Sequence, residues 1–390
     1  MAASDVDVRS LWDLDRLSRP PAHEPAGAAE VGVQPIIYEG EPYRGQPSRV
    51  FAYLGVPKRP VPAAPHEDAL PGMVLVHGGG GTAFREWVAI WNARGYAAIA
   101  MDLGGCGAGR QPLPDGGPPQ SEEAKFADPT EAWRDHWVYH SVAAVIRAHS
   151  LLRSLPGVDP QRIGLTGISW GGYLTCMVAA LDARFGCAVP VYGSGFLQEN
   201  SVWIERGSFD ALGTAGRAAW HAHCDPSRYV GAAGMPVLFV SRPVDVHYRL
   251  DVYRKSYRLV RSQLQLAVRI GLEHSHPDGW SPPEIARFAD SRFRGAPALP
   301  RLEAPHIFAG GRHVRCAFSA ARPLVSTQLA YTRDSGPWQD RSWQHGPANA
   351  DETSLTADLP ADWTACFLTA TDAMGGYASS PHVTVEDPDS

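Results

Sequence analysis

The sequence predicts an α/β fold, in which helices cover both faces of a mostly parallel sheet, followed by a small antiparallel β-sandwich. Two observations lead to this prediction. Short apolar runs alternate with longer helical segments over roughly three quarters of the chain, and short β-rich segments between turns then replace them. With 390 residues, of which 44% are hydrophobic, the chain can bury the core of one large α/β domain and a smaller second one.

The first elements are strand-like. The stretches "VQPIIYEG" and "SRVFAYLGVP" place β-branched and aromatic residues between glycine and proline breaks. A proline-rich connector, "PKRPVPAAPHEDALPG", leads to "MVLVH". That run is short and wholly apolar, as is typical of a parallel strand buried on both faces.

Strands and helices then alternate. The next predicted strands are "YAAIAMDL", "RIGLTGIS", "CAVPVYG", "MPVLFVS" and "QLAVRIGL". The predicted helices are "FREWVAIWNARG", "HWVYHSVAAVIRAHSLLRSLPG", "GGYLTCMVAALDARF", "DVYRKSYRLVRS" and "PPEIARFADSRF". Repeated βα units of this kind imply parallel strands joined by right-handed crossovers.

After "RGAPALPRLEAP" the alternation stops. Segments such as "HVRCAFSA", "STQLAYTRD", "ETSLTADLP", "WTACFLTATDA" and "HVTVEDP" are short and separated by Gly, Pro or Asp turns. We therefore predict an α/β domain over residues 1–298 and an immunoglobulin-like β-sandwich over residues 299–390.

Composition narrows the function classes. A net charge of -6 offers no electrostatic case for binding nucleic acid or an anionic membrane. The first residues show no signal peptide and no apolar run reaches membrane-spanning length, so we expect a soluble protein, either cytoplasmic or exported with its signal already removed. The six cysteines lack C-x-x-C spacing, which predicts free thiols instead of a disulfide framework or a zinc site. The sequence leaves the oligomeric state open.

The segment "IGLTGISWGGYLTC" carries the clearest catalytic signal. Its centre has the pattern Gly-x-Ser-x-Gly, with Ser169 between Gly167 and Gly171. A nucleophile elbow requires a strand before the serine, a helix directly after it, and small residues two positions away on each side. A chance match in an ordinary turn is the alternative, but the strand and helix signals around Ser169 favour a nucleophile.

A serine nucleophile needs a base and an acid that orients the base, and in this type of fold both follow the serine in the chain. Asp245 lies in the loop after "MPVLFV" and is the candidate acid; it can instead cap the next helix, in which case Asp251 is the fallback. His274 and His276 lie in the loop after "QLAVRIGL". The sequence does not decide which of the two histidines is the base.

The oxyanion formed during attack on an ester needs two N–H donors. We predict the backbone N–H of Trp170, directly after the serine, and that of Gly79 in the loop "VLVHGGGGTAF". The same loop lacks the Lys-Ser/Thr ending of a P-loop and the spacing of a dinucleotide fingerprint, so no nucleotide cofactor is expected.

Two further groups of residues carry side chains that could bind a metal or the substrate. The imidazoles and thiolate of "HAHCD", His221–Asp225, do not have the spacing of a zinc site, so no metal is expected. Trp133 and Trp137 follow a long loop at the carboxyl end of a strand and are candidate substrate-binding residues. Packing of these indoles on a helix face is an equally good explanation.

The motifs together resemble a known group. "GISWGGY", "HGGGGTAFREW", "CDPSRY" and "HSHPDGW" are similar to α/β-hydrolases of the acetyl xylan esterase and dienelactone hydrolase type. The terminal "ARPLVSTQLAYTRDSGPWQDRSW" resembles the β-sandwich appended to some bacterial members. The resemblance implies a serine carboxylesterase without a cofactor, acting on small acyl esters, especially acetyl esters of xylan or other carbohydrates.

The chain departs from that group in two places. Arg242, Pro243 and Val244 precede Asp245 where relatives carry a Gly-x-x-Asp turn, which weakens the assignment of the acid. Ser169 stands where dienelactone hydrolases use cysteine, which favours ester hydrolysis through an acyl-serine. Two rival functions are a prolyl-oligopeptidase-like peptidase, for which the N-terminal segment is too short to form a propeller, and a non-catalytic binding protein on a hydrolase fold.

Overall fold

A computed structural model describes residues 7–57 and 69–387. The predicted proline-rich connector falls mostly on residues 58–68, outside the described residues. Within these ranges the first strands are β1 (His23–Pro25), β2 (Val33–Glu39), β3 (Arg49–Gly55), β4 (Leu70–Val76), β5 (Ala97–Met101), β6 (Val158–Ile168), β7 (Cys187–Val191), β8 (Val237–Ser241) and β9 (Leu264–Val268). The α-helices are α1 (Leu14–Leu17), α2 (Arg85–Ala93), α3 (Glu122–Lys125), α4 (Pro129–Ala132), α5 (Trp137–Ser154), α6 (Trp170–Leu181), α7 (Val202–Glu205), α8 (Gly213–Cys224), α9 (Leu250–Arg258), α10 (His276–Trp280) and α11 (Pro283–Phe293).

These strands form one nine-stranded sheet in the order β1-β2-β3-β5-β4-β6-β7-β8-β9. The neighbouring strands β5, β4, β6, β7, β8 and β9 pair in parallel. The pairs β1–β2, β2–β3 and β3–β5 are antiparallel. Every residue of β4, β5, β7 and β8 is buried, because helices cover both faces of the sheet. The carboxyl ends of the parallel strands therefore meet at one edge, where the loops that follow them come together.

Two apolar cores fill the space on the two faces of the sheet. One core packs the long α5 and α6 against alternate strand residues such as Val74, Ile99 and Leu165. The other packs α2 and α11 against the opposite side chains, among them Leu75 and Val189. In the parts of the chain that the structure describes, no helix is both long and apolar enough to cross a bilayer.

The C-terminal strands form two antiparallel sheets with a common apolar core. The strands are β10 (Arg301–Leu302), β11 (His306–Phe308), β12 (His313–Ser319), β13 (Leu324–Thr332), β14 (Gln344–Pro347), β15 (Asn349–Ala350), β16 (Ser354–Asp358), β17 (Ala365–Asp372), β18 (Tyr377–Ser379) and β19 (Val383–Thr384). The order is β10-β12-β16-β15, with β11 on β12, in one sheet and β14-β13-β17-β18, with β19 on β17, in the other. This arrangement is consistent with the predicted β-sandwich.

The C-terminal sheets pack on the outer edge of the large sheet. Val268 of β9 donates its N–H to Ser379 Oγ at 2.9 Å, and its carbonyl accepts from Tyr377 Oη at 2.7 Å. Arg287 of α11 donates to the buried carboxylate of Asp372 at 3.1 Å. These contacts cover backbone groups of an edge strand that would otherwise be available for pairing with another chain.

Candidate active site

Ser169 lies on a sharp turn between β6 and α6. Its backbone has φ 58° and ψ -117°, a conformation that L-residues rarely adopt. A Cβ on Gly171 would lie 2.0 Å from the carbonyl oxygen of Val76, and one on Gly167 would lie 2.2 Å from that of Gly171. Only glycine fits at both positions, and the turn holds the partly exposed Ser169 at the carboxyl end of the sheet.

Asp245 and His274 are joined by a hydrogen bond between two adjacent loops. Asp245 is fully buried, and its Oδ2 lies 2.5 Å from His274 Nδ1. Its Oδ1 accepts the backbone N–H groups of His247 and Tyr248, both at 2.8 Å. Burial alone would raise the pKa of Asp245, but the hydrogen bond and charge of His274 and the two N–H groups lower it overall. The carboxylate is therefore kept ionised beside the imidazole.

The ring of His274 is held on two further sides. It stacks on Tyr192, with ring centroids 4.3 Å apart, and lies beside His247 at 4.7 Å. Tyr192 donates its hydroxyl hydrogen to the carbonyl of Ser275 at 2.8 Å, which ties the histidine loop to the end of β7. Sequence reasoning did not select Tyr192 or His247; the position of Tyr192 directly after a strand was the available signal.

His276 occupies a different place from His274. Its Nε2 accepts the backbone N–H of Gly78 at 3.0 Å, and its ring lies 4.7 Å from that of Phe84. Burial and the nearby His77 and His274 lower the pKa of His276 to about 4, so the ring is neutral at neutral pH. His276 thus anchors the loop after β4 that contains glycine residues 78–81, the glycine loop. The fallback acid, Asp251, accepts from Asn200 at 2.8 Å instead of from either histidine.

The glycine loop is built around a buried histidine. His77 Nε2 accepts the N–H of Leu103 at 3.0 Å, so its Nδ1 carries the proton and donates to the carbonyl of Gly78 at 2.8 Å. The N–H of Gly81 donates to the same carbonyl at 3.1 Å. Among the described residues, the N–H of Gly79 has no partner, and the N–H of Trp170 is one of the first in its helix, which lack intrahelical partners. These are the two donors that the sequence predicts for the oxyanion.

Five of the predicted residues, Ser169, Trp170, Gly79, His274 and His276, line one cavity of about 370 Å³. It is lined by Gly79, Gly80, Glu122, Lys125, Ile168, Ser169, Trp170, Trp203, Arg206, His247, His274, Ser275 and His276. The structure thus brings Ser169, Trp170, Gly79 and both candidate histidines to one surface, with Asp245 directly behind His274. Neither Lys125 nor Trp203 was selected from the sequence, because nothing local distinguishes them from packing residues.

Trp133 and Trp137, the candidate substrate-binding residues, are not part of the cavity wall. Trp137 is buried and donates its indole N–H to the carbonyl of Leu103 at 2.7 Å. Trp133 donates to the carbonyl of Leu11 at 3.1 Å and packs edge-on against Trp12. Packing on a helix face accounts for both positions.

Two groups of polar side chains contain the kinds of atoms that bind metal ions. Asp245, His247 and His274 place ligand atoms within 4.8 Å of one another, but the hydrogen bond between Asp245 and His274 occupies one ligand atom of each. In the segment His221–Asp225, the Asp225 carboxylate accepts three backbone N–H groups, from Phe196, Leu197 and Ser227. That segment is a loop anchor.

Comparison with known proteins agrees with the fold and the motifs. Residues 37–202 match the family described as acetyl xylan esterase (AXE1). No curated protein sequence matches the chain. The family match supports an esterase, a serine hydrolase of the α/β-hydrolase type, as the resemblance of the motifs predicts.

Solved structures are similar at low sequence identity and show the fold. Acetyl xylan esterase from Paenibacillus sp. R4 has a TM-score of 0.60 and 19% identity over 75% of this chain and 96% of that chain. Acetyl xylan esterase 1 from Thermoanaerobacterium sp. JW/SL YS485 has a TM-score of 0.58 and 16% identity over 73% and 93%. An acylaminoacyl peptidase from Pyrococcus horikoshii has a TM-score of 0.50 and 16% identity over 67% of this chain and 42% of that chain. The predicted α/β-hydrolase fold is confirmed.

Proposed function

We propose that this protein is a serine carboxylesterase that hydrolyses acetyl esters, with acetylated xylan or another acetylated carbohydrate as its substrate. The observation that carries the proposal is the meeting of Ser169, at a strained elbow, with a His274–Asp245 pair in one cavity. The match of residues 37–202 to an acetyl xylan esterase family supports the acetyl group and the carbohydrate.

In the proposed first step, Ser169 Oγ attacks the ester carbonyl and its proton passes to Nε2 of His274. We assign the base to His274 because its Nδ1 is bonded to a buried carboxylate, which leaves Nε2 free for the serine. The ring of His276 uses its Nε2 to hold Gly78 and is therefore assigned to positioning the loop. Asp245 stabilises the imidazolium that forms.

The negative charge that develops on the carbonyl oxygen is assigned to the N–H groups of Gly79 and Trp170. Support comes from the fixed loop around Gly78, because hydrogen bonds from His77 and to His276 hold its peptide groups before substrate binds. Proton return from His274 to the leaving oxygen releases the alcohol. Water, deprotonated by the same imidazole, then attacks the acyl-serine and releases acetate.

The test is hydrolysis of p-nitrophenyl acyl esters, from acetate to octanoate, by the wild type and by Ser169→Ala. We expect acetate to be preferred and the variant to lose at least about 10³-fold in kcat, since the serine cannot be replaced by water at comparable rate. Ser227→Ala is a matched control, because the Ser227 hydroxyl has no hydrogen-bond partner among the described residues. An active Ser169→Ala variant would rule out the acyl-serine route.

Two additional measurements separate the rival functions. Mass spectrometry after a short incubation with a phosphonate ester should find the adduct on the peptide that contains Ser169. Aminoacyl p-nitroanilides should be poor substrates beside acetyl esters; a preference for the amides would instead support a peptidase. A protein that binds acetylated xylan oligomers without releasing acetate would favour the binding-protein alternative.

A further inference from the structure

Lys125 is a buried cation that the proposed mechanism does not use. It ends helix α3, and 7% of its surface is exposed. Its Nζ lies 5.0 Å from the ring centroid of Trp170 and 5.3 Å from that of Trp137. Within the described residues its ammonium donates one hydrogen bond, a long one of 3.4 Å, to the carbonyl of Gln120. An ammonium has three donors, so this site leaves donors without a partner.

The ammonium lies on the wall where the ester would react. Its Nζ would be 3.9 Å from a Cβ placed on Gly79, the residue assigned to the oxyanion, and it contacts the face of the neighbouring Trp170 side chain. Lys125 is itself one of the cavity-lining residues. A group on the substrate therefore has access to the charge from within the cavity.

The charge of Lys125 has no direct partner. No carboxylate of the described residues lies within ion-pair distance of its Nζ, and the nearby Glu122 pairs with Arg206 at 3.7 Å. Burial lowers the pKa of Lys125 to about 8, against a smaller opposing effect of Glu122, so the side chain is mainly charged at pH 7. The lowered pKa values of His247 and His276 keep these two neighbours neutral. The cavity wall thus presents an excess of positive charge.

We propose that Lys125 is a specificity-determining residue that binds a carboxylate on the ester substrate. This inference rests on the proposed esterase function and narrows its substrate to acetyl or short acyl esters of acidic molecules, such as acylated acidic sugars. The two indole faces attract the cation, but they do not replace conventional hydrogen-bond acceptors. A carboxylate on the substrate would accept the N–H groups of the ammonium that have no acceptor in the protein.

The experiment compares two pairs of similar esters, and the members of each pair differ in charge. In the first pair, 4-acetoxybenzoate and its methyl ester carry the charge in the alcohol portion. In the second pair, p-nitrophenyl hemiglutarate and p-nitrophenyl valerate carry it in the acyl portion. For each pair, kcat/KM is measured with wild type, Lys125→Met and Lys125→Arg, and the ratio of anionic to neutral ester is compared.

We expect the anionic-to-neutral ratio of at least one pair to fall tenfold or more in Lys125→Met, because a charge-assisted hydrogen bond is lost, and to be largely kept in Lys125→Arg. Lys255→Met is the matched control: Lys255 is about half exposed and pairs with Glu199. Ratios within twofold of wild type in both pairs would overturn the proposal. If both members of each pair lose kcat/KM by the same factor, the ratio is also unchanged and the proposal is overturned; the charge of Lys125 would then act on the oxyanion instead.

A measurement on the wild type covers the case in which the variants do not fold. Benzoate should inhibit hydrolysis of the neutral esters at least tenfold more strongly than the neutral benzamide does. Equal inhibition by the two compounds would overturn the proposal. Because wild-type activity on neutral esters is measured in the same assays, failure of the esterase proposal would be seen separately, as no hydrolysis at all.

Discussion

Replacing Asp245 by asparagine is the sharpest test of the proposed base, because the structure determines how the amide must lie. Oδ1 of Asp245 accepts two backbone N–H groups, from His247 and Tyr248. In Asp245→Asn the carbonyl oxygen must stay at that position, which directs the NH₂ group at His274 Nδ1. Two donors cannot face each other, so His274 shifts its proton to Nε2 and can no longer accept one from Ser169.

We expect kcat for p-nitrophenyl acetate to fall by about 10⁴-fold, equivalent to about 5.4 kcal/mol of transition-state stabilisation. KM should change little, since Asp245 is buried behind His274 and does not line the cavity. The free energy of unfolding should change by less than about 2 kcal/mol, because both backbone hydrogen bonds are retained.

The assay is steady-state hydrolysis with denaturant unfolding of the same preparations. Asp251→Asn is the matched control: it makes the same chemical change on α9, where Asp251 accepts only from Asn200 in the described structure. Activity of Asp245→Asn within tenfold of wild type, with an unchanged unfolding transition, would refute the argument that this carboxylate sets the tautomer of His274.

Two more predictions follow from the same geometry. His274→Asn should lower kcat by about 10³-fold or more, whereas His276→Asn should lower it by about tenfold, because only the anchor of Gly78 is lost. Equal losses would contradict these roles. The pH–rate profile of His276→Asn should keep the wild-type shape around neutral pH, because burial lowers the pKa of His276 to about 4 and its ring does not titrate there. Arg287→Met should lower the free energy of unfolding by about 2 kcal/mol at pH 7, since it leaves the carboxylate of Asp372 buried without its cation. Burial would raise the pKa of Asp372, but the hydrogen bond and charge of Arg287, together with two backbone N–H groups, lower it overall. The stabilisation is therefore present above the usual carboxylate pKa and is lost as pH falls through the lowered value. Urea unfolding should show a smaller difference between Arg287→Met and wild type below pH 3 than at pH 7, and an equal difference would contradict the assignment.

Local patterns were enough to predict the fold class. Wholly apolar runs such as "MVLVH" and "CAVPVYG" correspond to β4 and β7, whose residues are buried on both faces. The elbow was also predictable, because Gly167 and Gly171 satisfy a steric requirement set by residues close to Ser169 in space and mostly close in sequence. The short β1 and the helix Gly213–Cys224 were not predicted; the apolar pattern of each is weak, and contacts with the rest of the fold stabilise them.

By itself, therefore, the sequence determined the alternation of strands and helices, the strained serine turn and the set of residues from which a base and an acid would come. Only the tertiary structure decided which histidine meets Asp245 and which one holds Gly78, and it placed Lys125 in the cavity while Trp137 stayed behind it. The physical reason is that turn sterics and burial patterns are local properties. The direction in which a loop side chain points depends instead on strand order and on contacts between loops far apart in the chain.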